Sequence, residues 1–439
     1  MKELFLIRDN LTNKISYYHV MLFLISLPHD LFYSHLILAS LAIHTIIQFR
    51  QSSVKPVLTW RTVLLQSVFW VTLISTAYTI NLKQSLLEWE LYIPVLLLPL
   101  IFCFNPLDLK KYNGRLLTVF SVNCTLTVLY LYYDALKTIK YYHLPISSIV
   151  SHAFTNHNFS QPIAMHATFL SLQIAVALVY LLSRLISERL SRITQITYII
   201  CCIVLTAGVV QLSSKSIFVS LFIVINFVLP YFVLMGNRRK WYLVISCTLS
   251  CLMIIAIISS HALRDRYVVE LKEDLSPGFR GQTVEPRRER WKIAADLIIK
   301  SPIIGYGAGS EVELLQQKYL EKKFYSSYLH RLNAHNQYMS FMIKSGIWGL
   351  IVYLATLVYG FKIAIRKRDV VFFSVMMLIA IVSLSEDLLN ADKGVMFYSF
   401  FFSYFVFVSE QTEQIHLPLK RHKYLRNAAT KPEVEPSLL

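Results

Sequence analysis

The chain has 439 residues, 55% of them hydrophobic and only 16% charged, with a formal net charge of +17. Its mean hydropathy is +0.50, and soluble proteins carry about 25% charged residues, so a soluble enzyme is excluded. The apolar runs are long rather than alternating, which excludes a membrane β-barrel. Most of the positive charge lies in short loops between those runs, as in cytoplasmic loops, so nucleic acid is not expected as a partner.

In chain order, Met1 to Lys14 is mixed polar and leads into an apolar run with no small-residue cleavage site, so no cleaved signal peptide is expected. About twelve transmembrane helices follow, each close to the length that crosses a hydrocarbon core. Their expected limits are 15–29, 34–48, 62–80, 85–104, 116–134, 163–182, 194–211, 215–235, 241–259, 341–361, 370–386 and 394–410. Two early ones are short and can form one hairpin. The fold class is therefore an all-α polytopic membrane protein with a large periplasmic loop containing short helices. It divides into N-terminal helices (1–259), a loop (260–340), C-terminal helices (341–410) and a tail (411–439).

Lysine and arginine alternate between loops. Lys2, Arg8 and Lys14 begin the series; Arg50, Lys55 and Arg61, then Lys110, Lys111 and Arg115, then Arg184, Arg189 and Arg192 continue it. Arg238, Arg239 and Lys240, then Lys362, Arg366, Lys367 and Arg368, and the tail from Lys420 to Lys431 complete it. This bias puts both termini in the cytoplasm and 260–340 outside. The outside segment is itself rich in Lys and Arg; long translocated loops escape the charge rule, and cations held there point to a phosphate-bearing partner.

Inside that segment, Pro286 precedes a helical pattern with Trp291, Ala294, Ala295, Leu297 and Ile298, and Pro302 ends it. Trp291 is expected at the membrane interface. A second polar helix is expected over 311–323. The cysteines Cys103, Cys124, Cys201, Cys202, Cys247 and Cys251 all lie in or beside apolar spans and read as packing residues.

The most specific pattern is His335-Asn336, with nine residues before Gly346 and two more before Gly349. His335 falls where polar loop meets apolar span, and histidine is a base near neutral pH. Asn336 can orient a hydroxyl or phosphate, and the glycines allow close helix approach. The alternative is an interfacial anchor with packing glycines. Arg287, Arg288 and Arg290 offer guanidinium forks to phosphate oxygens; the alternative is a patch on lipid headgroups. Lys215 stands in a tight turn between two spans, as a functional or a snorkelling cation. Gly305-Tyr306-Gly307-Ala308-Gly309 lacks dinucleotide spacing and reads as a tight turn that brings N–H groups near the site. His157, Asn158, Pro162 and His166, and separately Glu386, Asp387 and Asp392, read as solvated loops that could instead meet sugar hydroxyls. There is no phosphate-loop lysine motif, no zinc pattern and no Asp-x-Asp pair; no metal and no cofactor are expected.

His335-Asn336, Gly346 and Gly349, with Arg287 four residues before Trp291 and the Pro302–Gly307 run, resemble the O-antigen ligase and O-antigen polymerase family. The Ser214-Lys215 turn is similar to that family's Ser-Arg turn, with lysine replacing arginine. The resemblance implies a metal-independent inverting glycosyltransferase of the bacterial inner membrane with its site on the periplasmic face. The donor implied is an undecaprenyl-pyrophosphate-linked glycan. The acceptor is a hydroxyl of lipid A–core in a ligase, or another lipid-linked repeat unit in a polymerase. On this reading His335, Arg287 and Arg288 are catalytic, and Lys215, Arg290 and Asn336 bind pyrophosphate or sugar. A polysaccharide transporter is the rival of another class, but transporters keep polar groups near mid-membrane, and here the ionisable clusters gather at one face.

Overall fold

Residues 5–29, 31–49, 59–277 and 285–414 are described by the computed structural model. Lys2, Arg50, Lys55 and most of the expected C-terminal tail, from residue 415 on, lie outside these limits. The described chain is helical and contains no strand. It opens with α1 (Leu11–Ser26) and α2 (Leu31–Ile47), packed together as the expected hairpin, followed by α3 (Trp60–Ser75), α4 (Leu82–Phe104) and α5 (Leu109–Tyr141). Then come α6 (Ala167–Ser187), α7 (Arg192–Leu212), α8 (Lys215–Val233) and α9 (Gly236–Ser259). A helical strap, α10 (261–274), leads to α11 (Arg287–Lys300), α12 (Glu311–Glu321) and α13 (Tyr325–Leu329). The chain closes with α14 (Gln337–Lys367), α15 (Val370–Val382) and α16 (Asp392–Gln414).

Each of the twelve expected spans falls on one of these helices. Seven of them, α4 to α9 and α14, are long and apolar enough to cross a membrane. Helices α1, α2, α3 and α15 hold 16, 17, 16 and 13 residues, short of the roughly 20 needed for an upright crossing. Helix α16 holds 23 residues but is not among the seven that are also apolar enough, so among the described residues length and hydropathy together support seven of the twelve expected crossings.

Polar residues punctuate the apolar runs. Asn81 caps α4 by accepting from Gln84 N at 3.0 Å, and Asp108 caps α5 by accepting from Lys111 N at 3.0 Å, each satisfying a donor that the first helical turn leaves orphaned. Helix α6 is enclosed on nearly every side. Helix α9 is the opposite: Val244, Ile245, Leu249, Leu252 and Ile255 all face outward, a surface that needs lipid rather than water around it. The protein is a multi-pass membrane protein.

Helices α11 and α12, with the turn before α14, form a cap over one end of the bundle. The cap has its own small core of Ile293, Ala294, Leu297, Leu315, Tyr319, Ala334 and Ile343. The helix expected after Pro286 is α11, and the one expected over 311–323 is α12. Trp291, expected at the membrane interface, is half-buried and bonded into the cap. Its indole N–H donates to Ala334 O at 2.8 Å, so this partner inside the cap, rather than a headgroup, satisfies the ring.

The glycine run makes the expected tight turn, but its N–H groups are placed differently from the expectation. Its N–H groups do not face an open site. Tyr306 N donates to Ile343 O at 2.9 Å, Gly307 N to Lys344 O at 2.8 Å and Ala308 N to Ser75 O at 3.4 Å. Ile347 N returns a bond to Pro302 O at 2.9 Å. The turn is wedged between a kink in α14 and the α3–α4 connection, where Tyr78 Oη donates to Ile304 O at 2.7 Å. The glycines serve this fit: a Cβ on Gly307 would lie 2.2 Å from Thr79 Cα.

Candidate active site

His335 sits in the turn that joins the cap to α14, with its backbone in the left-handed region at φ 46°. That conformation is unusual for a residue with a side chain, and four contacts hold it. Ala334 N donates to Glu311 Oε1 at 3.0 Å, and Ala334 O accepts from Trp291. His335 N donates to Asn333 Oδ1 at 3.0 Å, while Asn333 Nδ2 donates to Asp387 Oδ2 at 3.2 Å. The turn is thus gripped from α11, from α12 and from the loop before α16.

The His335 ring meets that loop directly: Nδ1 lies 3.3 Å from Glu386 Oε2. With its proton on Nδ1 shared with Glu386, the ring leaves Nε2 free to accept another. Arg287 reaches the same carboxylate, with Nη2 3.7 Å from Glu386 Oε1, and donates through Nη1 to Ser385 O at 2.7 Å. Burial works to raise the Glu386 carboxyl, yet the His335 hydrogen bond and the charges of His335 and Arg287 outweigh it and hold the group below the usual glutamate range. Asp387, one residue on, is raised instead, first by burial and then by the like charge of Glu311.

These two acids correct the sequence reading of a solvated loop. Glu386 is 17% exposed and Asp387 is buried. The His157–His166 cluster is no free loop either. The two rings pack edge to face at 4.2 Å, and His166 feels the charges of both Glu386 and His335. His166 Nδ1 caps α6 by accepting from Thr168 N at 3.3 Å.

Burial, then the neighbouring His157, press the His166 ring down to about 4, against an ordinary 6.5; Glu386 opposes them, and His335 and Lys393 add to them. Between those two values the unfolded chain binds a proton that the folded chain refuses, so stability must fall as pH drops from about 6.5 to about 4. Protonation would also turn the cap's acceptor into a donor at the positive end of a helix. Thermal melting of the purified protein should show this fall. His166→Asn, which keeps a capping acceptor but does not titrate, should flatten it.

The cations reach His335 through shared carboxylates. Lys215 opens α8 two residues after Ser213, whose φ of 51° makes the tight turn. Its Nζ is 3.4 Å from Glu270 Oε2 and 3.9 Å from Asp274 Oδ2. Arg287 Nε is 3.6 Å from the same Asp274 oxygen. Lys215 and Arg287 are therefore brought together, through one carboxylate, beside His335. Arg288 is exposed on the far side of its helix turn. Arg290 is buried in the cap, and its Nε and Nη1 have no hydrogen-bond partner. Of the three arginines, Arg287 is the one that reaches the histidine's carboxylate.

Asn336 faces the protein rather than open space. Its Oδ1 accepts from Tyr338 N and Met339 N at 3.0 and 3.1 Å, and its Nδ2 donates to Leu384 O at 3.2 Å. It is the N-cap of α14 and ties that helix to the end of α15. Beneath it, Lys344 pairs with Glu88 at 3.2 Å, both buried. Sequence reasoning named neither Glu88, Glu311, Glu270 nor Asp274, because no local spacing links them to the histidine.

An apolar cleft of about 560 Å³ lies among α6, α7, α8 and α9, lined by Leu178, Ile203, Phe218, Leu221, Leu249 and Met253 among others. It follows α8 away from Lys215 and opens on the outward face that includes Ile203 and Leu249.

Residues 190–354 match the family model described as O-antigen ligase. The match takes in the Lys215 turn, the strap, the cap and the first half of α14, so the resemblance read from the motifs holds over this segment. No curated protein matches the chain.

Proposed function

We propose that this chain, with its O-antigen ligase segment, transfers a glycan from undecaprenyl pyrophosphate to a hydroxyl of lipid A–core on the periplasmic face of the bacterial inner membrane. The observation that carries this reading is the placement of His335 and Glu386 beside Arg287 and Lys215, at one end of a bundle with an apolar cleft below. A base and two cations side by side fit a displacement in which one group loses a proton and another leaves as an anion.

In this scheme His335 Nε2 takes the proton of the acceptor hydroxyl. The oxygen forms a bond to the anomeric carbon as the bond from that carbon to the phosphate oxygen breaks, which inverts the centre. The pyrophosphate keeps the bonding pair, and Arg287 and Lys215 stabilise the charge that grows on it. Glu386 holds the histidine in the tautomer that leaves Nε2 free and stabilises its protonated form, as a carboxylate does beside any basic histidine. No metal is needed, because cationic side chains stand at the leaving group. Arg288 can meet lipid or glycan from its exposed position, and Arg290 supplies positive potential from within the cap. Asn336 acts by fixing the end of α14.

A polymerase would use the same chemistry on a lipid-linked repeat unit. Lipopolysaccharide gels of cells lacking the native protein, complemented with this chain, separate the two. A ligase restores core-linked ladders. A polymerase converts single-repeat glycan to multi-repeat glycan. Ladders restored equally well by an Arg287→Gln variant would remove the proposed leaving-group site.

A further inference from the structure

The cations assigned to the donor's pyrophosphate are not open to it. Glu270 lies against Lys215 and Arg266, and Asp274 lies against Lys215 and Arg287. Both acids come from the last turn of the strap α10. The contacts around Asp274 are loose, 3.6 and 3.9 Å to two cations on two different elements. These are distances of ion pairing rather than of a tight hydrogen bond. All five side chains are partly exposed, so the pairs are of the kind that exchange partners at little cost.

The strap's other face explains its position. Leu263 and Tyr267 pack on Ile257 and on Val210, Phe218 and Met253. The last three also line the apolar cleft, and Tyr267 Oη donates to Val210 O at 3.4 Å. The strap therefore lies across the cleft's end nearest Lys215 and presents two carboxylates to the cations above.

Resting on the donor reading above, we infer that Glu270 and Asp274 are built-in occupants of the pyrophosphate site, and that the donor's phosphates must displace them to reach Lys215 and Arg287. A carboxylate and a phosphate present the same chemistry to a guanidinium or an ammonium, an anionic oxygen. A polyprenyl chain in the cleft would bring its phosphates to the place these acids hold. The strap keeps the cations paired while the site is free of donor, and its charge sets how much of the donor's binding energy goes into opening it.

The test uses the full chain in nanodiscs, with undecaprenyl pyrophosphate as probe and undecaprenol as its uncharged control. The doubly neutral variant Glu270→Gln/Asp274→Asn should bind undecaprenyl pyrophosphate about tenfold more tightly than the parent, the scale of two partly exposed ion pairs. Its affinity for undecaprenol should not change. Equal or weaker pyrophosphate binding, with an unchanged melting temperature, would overturn the inference. So would a gain in the charge-keeping variant Glu270→Asp/Asp274→Glu, because loosened packing rather than charge would then be the cause. A parent protein that binds the pyrophosphate no better than undecaprenol, and is unaffected by Arg287→Gln, would remove the donor reading and this inference together. A parent that prefers the pyrophosphate while the neutral variant gains nothing would remove this inference alone.

Discussion

Replacing His335 with alanine should lower glycan transfer by about 10²- to 10⁴-fold, the usual contribution of a positioned general base, at unchanged abundance in the membrane. The physical case rests on three features together. The ring lies at the junction of cap and bundle, Glu386 takes one of its nitrogens at 3.3 Å, and Arg287 stands against the other oxygen of that carboxylate. Alanine removes the proton acceptor and also sits poorly at φ 46°, so loss of activity alone could reflect a disturbed turn. His335→Asn separates the two effects: asparagine tolerates left-handed backbone but cannot take the proton. It should be as inactive as alanine while melting like the parent. Glu386→Gln should lose less, because the base remains and only its orientation and charge partner are gone. The two residues act as one unit, so their losses should not add: in the His335→Asn background, Glu386→Gln should cost little more. Transfer at the parent rate by His335→Asn would remove the histidine from the chemistry.

Much of this site could be read from local sequence, and the part that could not has a common cause. Pro286 and Pro302 bracket α11 because proline at a helix start costs nothing and proline past its end cannot continue it. His335, Asn336 and Gly346 lie within one short stretch, so their spacing carried information. Glu386 is 51 residues from His335, and Glu88 is 256 residues from Lys344. No periodicity links such pairs; they meet because the bundle folds. Glu386 and Asp387 of the α15–α16 loop therefore read as solvated when they are largely buried partners. The glycine turn misled in another way. Its composition signalled a turn, but composition does not say whether free N–H groups face a ligand or a neighbouring helix, and here they are spent on α14. The three arginines show the same limit: spacing to Trp291 favoured Arg287, but its pairing with Glu386 comes from a loop nearly a hundred residues away.

Gly346→Ala should prevent stable folding, with a loss on the order of 4 kcal/mol or more, and this is the larger of the expected structural effects. At φ 60° and ψ −154° the glycine breaks the helical path of α14, in a region closed to residues with a Cβ. Strain is only part of the cost. An added Cβ would lie 2.3 Å from Ile303 O, 2.4 Å from Ile303 C and 2.6 Å from Ile304 N. These are backbone atoms of the wedged turn and cannot swing aside as a side-chain end could. Pushing the turn away would break the bonds from Tyr306 N, Gly307 N and Ile347 N at once, leaving the carbonyls of the buried Ile343 and Lys344 unpaired at about 1–3 kcal/mol each. Gly114→Ala makes the same chemical change in the helical interior of α5, where the nearest atom is Arg184 Nη1 at 3.6 Å. There, alanine should be neutral or stabilising by up to about 1 kcal/mol. Melting of both variants in detergent decides the matter: parent-like stability of Gly346→Ala would mean that the kink is not set by this glycine. A clear loss with Gly346 and none with Gly114 would give the histidine–glycine spacing a physical meaning. The histidine then sits where the chain enters α14, and two residues past the buried Lys344 the glycine lets the cap lock onto that helix, so the spacing between them is the length of helix that holds the base against the cap.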